Sequence, residues 1–393
     1  MFTALKWRSV AHGVPLLFLT LALKPALIAG DAPETTHYHV TTTVDDPNLD
    51  GRDGGPLSLR GALRVGTYNA NTTTLSRVVI HVPAGTYRMD YSAQDGFGYG
   101  LNVSIYGQQS YLHIIGAGRE VTVIDGANLM FSWYLQTPDD SFMTFSDVTI
   151  ANRRSNAGGA FDIRGNVTFE NCQFWNCSGG EFGSHIGSGG AIFHRHRALN
   201  LRDCIFKNCV ARQLGGAVYS DVGSVTAERC TFLGNAAALG DGGAIFARGP
   251  LQVSDSVFVN NIAGRLGGAI VAYGLTTVDH CTIVNNRSNA DGIEDGNGGG
   301  IRTINSVLTL SNSIVAHNRN GAPGLDAEDD LSGRLVSAGS NIISAITEYT
   351  ILDGDVANDL IEVDPLLGPL DTAEDLPFYP LRPGSPAIDA ASG

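Results

Sequence analysis

The chain has 393 residues, with 25 Lys and Arg against 39 Asp and Glu and a formal charge of −14 at pH 7. Lys6, Lys24 and Lys207 are its only lysines, and so acidic a chain offers little to neutralise phosphates, which excludes a nucleic-acid binder. Hydrophobic residues at 43% exclude a disordered polymer, while 49 glycines and only 16% charged residues favour a turn-rich β protein over a helical one.

Residues 1–30 carry Lys6 and Arg8, then an apolar run from Val14 to Leu23. Pro25, Ala26, Ala29 and Gly30 follow, before the polar Asp31. That order is the anatomy of a secretory signal peptide cleaved near Gly30. The run is too short for a membrane span, which needs ~20 apolar residues. The expectation is a mature chain without a transmembrane span, secreted or held at the cell surface. Residues 31–106 read as an N-terminal cap with the first strands and one helix around Leu57–Thr67. Within it, Asp46, Asn48 and Asp50 precede Gly51 at the alternate spacing whose oxygens converge on Ca²⁺, with Asp53 close by. Leu57 stands where a bidentate Glu would complete such a loop, so a structural Ca²⁺ and an acidic capping turn both fit.

Residues 107–345 repeat. Leu112–Gly116 and Val121–Gly126 read as first coils. A Gly-Gly-Ala-apolar box then starts at Gly158, Gly189, Gly215, Gly242 and Gly267, and at Gly298 with Gly for Ala, spaced 31, 26, 27, 25 and 31. A second motif, a small residue followed two positions later by Phe or Ile, starts at Cys172, Cys204, Cys230, Ser256, Cys281 and Asn312, spaced 32, 26, 26, 25 and 31. Two motifs sharing one period of short Val/Ile/Phe/Thr runs and glycine turns describe a parallel β-solenoid, one coil per repeat. Helical repeats fail on composition, and propeller blades are longer.

Stacked coils turn equivalent residues into ladders about 4.8 Å apart. The residue after each box is Phe161, Ile192, Val218, Ile245, Ile270 or Ile301, so it faces inward. Strand alternation then sends Phe193, Tyr219 and Phe246 outward, and with them Arg195, Asp221, Arg248 and Tyr273 two positions on. In the basic run His194-Arg195-His196-Arg197, His194 falls on the inward register and His196 is the freer ring. The outward set could stack on sugar rings and hydrogen-bond their hydroxyls or carboxylates; cross-strand packing alone would use the same aromatics. At an inner turn the ladder runs Cys177, Cys209, Asn235, Asn261, Asn286, His317, where stacked amides bond to backbone and to one another. Cys172/Cys204 and Cys177/Cys209 match in adjacent coils, within disulfide reach; free buried thiols are the alternative.

These boxes resemble the repeats of the polymorphic outer-membrane-protein family and, more broadly, secreted right-handed parallel β-helix proteins. Tyr38–Tyr87 resembles an export-associated segment built on a Cys-Ser-Leu-Arg-Glu-Ala box. Here Leu57-Ser58-Leu59-Arg60-Gly61-Ala62 has Leu and Gly in place of Cys and Glu, and Pro83–Tyr87 follows. Asp364–Pro369 with Arg382–Asp389 resembles the end segment of bacterial secreted β-helices. The resemblance implies an all-β, right-handed parallel β-helix, with residues 346–393 as a tail that caps its far end. The long outer face suits a polysaccharide or cell-envelope glycan as partner by its shape, and the resemblance does not choose a reaction. A lyase or hydrolase acting on polysaccharide and a non-catalytic adhesin or structural solenoid both remain open.

Overall fold

The structure, a computed structural model, describes residues 35–72, 75–89, 102–129, 132–180, 187–292, 296–324, 326–373 and 376–388. The segment 1–30, expected to be a signal peptide, lies outside the described residues.

One coil shows how the repeat folds. Val218–Ser220 and Ser224–Glu228 lie in a first sheet, Thr231–Leu233 in a second and Ala236–Ala237 in a third. Each piece pairs in parallel with its counterpart one coil on: Val218 with Ile245, Val225 with Leu251, Thr231 with Val257, Ala236 with Ile262. The all-β parallel solenoid expected from the period is therefore the fold. The corner leaving the first sheet is a single left-handed residue in coil after coil: Asp147, Asn171, Asp203, Arg229, Asp255, His280 and Asn312. Asn and Asp tolerate that conformation best, which is why the column is mostly theirs.

Inside, the alternation holds. Phe174, Phe206, Phe232 and Phe258 are fully buried and stack with centroids 4.5, 4.9 and 4.5 Å apart, nearly parallel. Each buried ring contributes about 1.5–3 kcal/mol by transfer alone. The polar ladder also forms, one residue away from its expected end. Asn235, Asn261 and Asn286 continue into Asn318, whose amide meets Asp330 Oδ1 at 2.8 Å. His317 instead takes the left-handed corner position beside Asn285 and Asn260. The parallel ladder, ruled by the inward alternation of Ile283 with Val315, sets that register, so the second motif in this coil begins at Ser313 rather than Asn312. All six cysteines are buried free thiols.

The ends differ from expectation. Parallel pairing begins at Thr35–His39, which lies beside Arg77–Val82, so the stack starts within the supposed cap. The helix spans Leu59–Thr72 and buries Leu59, Ala62, Leu63 and Ala70 over the core end. Arg60, nearly buried, forks onto Asp45 at 2.6 and 2.8 Å. The expected C-terminal tail divides: Ile346–Gly354 and Leu360–Ile361 add the last parallel rungs beside Leu331–Ser337 and Ile342–Ile343, and only the segment after them leaves the end of the stack. It runs back along the flank as a hairpin bridged at Leu367–Leu381 and Asp371–Phe378. Leu367, Leu370 and Tyr379 cover Val259, Val284 and Ala316 on the outer side of the second sheet. Outward valines at those positions need a cover, and the tail supplies it. Among the described residues no helix is long and apolar enough to cross a membrane.

Candidate functional site

The first sheet presents the face on which the candidate residues were expected. Phe193, Tyr219 and Phe246 do point away from the main core, but they are not exposed. With Val271 they form a second small core, 5%, 5% and 2% accessible for the three rings, under Ala157, Leu214 and Leu266. These three cover residues immediately precede the glycine pairs at Gly158, Gly215 and Gly267 and lie over the stripe. Strand alternation fixes the side of the sheet and says nothing of what lies across it, so the aromatic docking strip is corrected here to packing. Burial pushes the Tyr219 phenol up to about 12, so it stays a neutral donor to Asp221 Oδ1 at 3.2 Å.

A polar edge remains outside this cover. Arg195 forks onto Asp162 at 2.7 and 2.8 Å and lies 4.5 Å over the Phe193 ring. That hydrogen bonding to Asp162 raises its pKa further. Arg248 reaches Asp221 at 3.1 Å and spans the Tyr219 and Phe246 rings. Tyr273 meets the Phe246 ring at a tilt of 47°, centroids 5.5 Å apart, and is itself exposed. His196 and Arg197 border a groove of about 700 Å³ with Asn166, Val222, Ser224 and Pro250. Arg197 is ion-paired to Asp139, and it holds a left-handed φ of +81°. Desolvation, then Arg197, Arg164 and Arg195, lowers the His196 pKa.

The acidic loop uses its carboxylates internally. Asp46 Oδ1 accepts from the Asn48 backbone at 2.8 Å and its amide at 3.0 Å, while Asp50 pairs with Arg52 at 2.9 Å. Asp53 lies in the short turn Arg52–Gly54.

His194 is buried as its register requires. Its Nδ1 lies 3.0 Å from Ser220 Oγ, whose single proton goes to the Gly223 carbonyl at 3.0 Å. Nδ1 therefore carries the imidazole proton, and Nε2 is a buried lone pair without a partner among the described residues. Burial, the largest cause, drops the pKa to about 4. Below the ordinary His value the unfolded chain takes up a proton that the folded chain refuses. Stability from this group is therefore full above about 6.5 and is lost as pH falls toward 4, by about 3 kcal/mol in all. Buried Asp330, pushed up to about 6, works in the opposite direction over the same range. Its contribution is common to wild type and His194→Ser, so the difference between their urea-unfolding curves against pH isolates the histidine. A difference that is flat from pH 7 to 4 would sink the assignment.

Sequence reasoning missed a second set on this face. Thr144, Thr168, Asn200, Thr226, Gln252, Thr277 and Thr309 stand in register in seven consecutive coils, all at least partly exposed. The signal was present as apolar–polar–apolar triplets, such as Val167-Thr168-Phe169 and Leu199-Asn200-Leu201. At its N-terminal end the ladder continues into His113, opposite Thr144. His113 borders a groove of about 560 Å³ with Arg119, Asp147, Glu170 and Asp203, walled by Leu376 of the C-terminal hairpin. Its Nε2 lies 3.0 Å from Ser146 Oγ. Desolvation lowers its pKa, against the field of Glu170 and Asp147.

The chain is 34% identical over 230 residues to a probable autotransporter, YfaL, of Escherichia coli strain K12, covering 50% of this chain and 17% of that protein. It is 30% identical over 128 residues to metabotropic glutamate receptor-like protein R of Dictyostelium discoideum, covering 32% of this chain and 8% of that one. The chain thus spans less than a fifth of either relative. Among solved structures, carrot pectin methylesterase aligns over 84% of this chain and 91% of its own at 10% identity and a TM-score of 0.42. A PL6 alginate lyase in complex with a trisaccharide aligns over 93% and 94% at 12% identity and a TM-score of 0.35. Residues 102–308, more than half of the chain, match the right-handed β-helix region, and with the parallel coils described above this places the protein in the right-handed β-helix family.

Proposed function

We propose that the protein is an exported, surface-associated β-helix that binds an extended polysaccharide lengthwise along its first sheet. The observation that carries this reading is the ladder from Thr144 to Thr309. Seven hydroxyl or amide side chains repeat at one rung each, about 4.8 Å, close to the advance of one sugar residue in an extended glycan. A regular polymer can then repeat the same hydrogen bonds from coil to coil. Arg195, His196, Asp221, Arg248 and Tyr273 border the strip on one side, and the His113 groove receives its N-terminal end. Similarity to a probable autotransporter supports the surface location. Binding in this mode needs no catalysis, so an adhesin and a polysaccharide-acting enzyme share the same footprint.

The test is retention on immobilised acidic and neutral polysaccharides. Each lost hydrogen bond removes about 1 kcal/mol, so Thr168→Val combined with Asn200→Leu and Thr226→Val weakens binding by roughly a hundredfold. Retention of no polymer by the wild type, or equal retention by the folded triple variant, overturns the reading. Reducing ends or unsaturated product released from a retained polymer would identify an enzyme.

A further inference from the structure

Three histidines meet on the outer face at the start of the stack, far along the sheet from the Thr144–Thr309 ladder's centre. Thr35–His39 and Arg77–Val82 run parallel, with His39 directly opposite His81. Val78, Ile80 and Val82 take the inward positions and are buried, so His81 faces out, and His37 shares that face two residues before His39. His37 Nδ1 lies 3.0 Å from His81 Nε2. The His39 and His81 rings stack at 4.5 Å and 8°, and those of His37 and His81 at 5.3 Å and 15°. No carboxylate pairs with any of the three among the described residues. Imidazole ring nitrogens brought together in this way are donors that one cation can share.

The geometry points to a binding site for a divalent transition-metal ion, Zn²⁺ or its neighbours, held by His37, His39 and His81. Two nitrogens on a tetrahedral ion, each at ~2.05 Å, lie about 3.3 Å apart. The His37–His81 pair needs to part by only a few tenths of an ångström. Among the described residues no three such donors already converge, so His39 completes the set by turning its ring out of the stack. That ring is exposed and free to turn. An all-imidazole set selects Zn²⁺, Ni²⁺ or Cu²⁺ and rejects Ca²⁺ and Mg²⁺, which want oxygen. The ion would clip the first strand, which has no strand beyond it among the described residues, to the second coil.

Calorimetric titration of the full, tag-free chain with ZnCl₂ and separately with CaCl₂ tests this. One Zn²⁺ per chain is expected at this site, with a thermal midpoint that rises with Zn²⁺. Removing an outer-shell partner typically costs 10–100-fold in metal affinity, so deleting a ligand in His81→Ala or His39→Ala weakens Zn²⁺ by at least about tenfold. His280→Asn, at an exposed corner of a later coil, leaves it unchanged. Visible d–d bands of a Co²⁺ adduct of the wild type give a readout independent of any variant. No stoichiometric Zn²⁺ with no tetrahedral Co²⁺ spectrum overturns the site, as does equal affinity in a folded His81→Ala protein.

Discussion

Asn261→Ala lowers the unfolding free energy by about 3–5 kcal/mol, because it strands several buried polar groups at once and each costs about 1–3 kcal/mol. Asn261 Oδ1 accepts from the Asn235 backbone at 3.0 Å and from its amide at 2.9 Å. Its own amide donates to Phe232 O at 2.9 Å and to Asn286 Oδ1 at 2.9 Å. Alanine removes both roles, and the site is fully buried, so water cannot substitute. The damage is also directional. Each Oδ1 serves the coil before it, down to Asp330 Oδ1, which ends the series by accepting from Asn318. Loss at Asn261 therefore strips Asn235 of the acceptor for its backbone N–H and for one amide proton, leaving it only Phe206 O, whereas Asn286 loses a single donor and keeps the Asn261 backbone N–H and its own bonds to Asn318. Urea unfolding checks the value, with Gln252→Ala, exposed on the same turn of the stack, expected within about 0.5 kcal/mol of wild type. A loss below 1 kcal/mol for Asn261→Ala would mean that the ladder does not exist as drawn.

What is legible in the sequence follows from what repeats. The amides at Asn235, Asn261 and Asn286 and the glycine pairs recur in sequence because every coil places them against the coil next door. Periodicity therefore revealed the fold and its inner ladders. Coils of unequal length blurred the phase, which is why His317 was matched where Asn318 belongs. The outward stripe of Phe193, Tyr219 and Phe246 was assigned to the correct side of the strand, yet its cover comes from Ala157, Leu214 and Leu266. Those residues lie outside the strand pattern and carry no period-2 signal. The Thr144–Thr309 ladder went unseen for the opposite reason, since single polar residues between apolar ones are ordinary in half-buried strands. The hairpin of Leu367 and Tyr379 docks through non-repeating tertiary contact with Val259 and Val284, and nothing local encodes that destination. His81 lies more than forty residues from His37 and His39, and only the parallel register of the first two strands joins them.

The glycine pairs were readable as turns, but the second member of each has a harder role. A Cβ built on Gly216 would sit 1.9 Å from Gly243 O and 2.6 Å from the Ala236 backbone. Gly190 and Gly243 meet the next coil in the same way, at 1.9 and 2.0 Å. Main chain, not a flexible side chain, fills the space, so relief requires coils to move apart. Overpacking usually costs 1–3 kcal/mol and more where nothing can yield, so Gly216→Ala is expected to cost about 4 kcal/mol. A solenoid transmits such a wedge to its immediate neighbours, because each coil touches only the coils before and after it. Amide hydrogen exchange should accordingly speed up at Ala191, Ala217 and Ala244, whose N–H groups bridge successive coils at 2.9 Å. The early coils around Ile114 should be spared. Gly55→Ala is the contrasting substitution, with φ at −73° and one tight contact, Arg52 O at 3.3 Å, so a change within about 1 kcal/mol is expected. Should Gly216→Ala unfold at the wild-type urea midpoint, or should its faster exchange spread evenly to Ile114, coil-to-coil backbone contact would not be what spaces the stack.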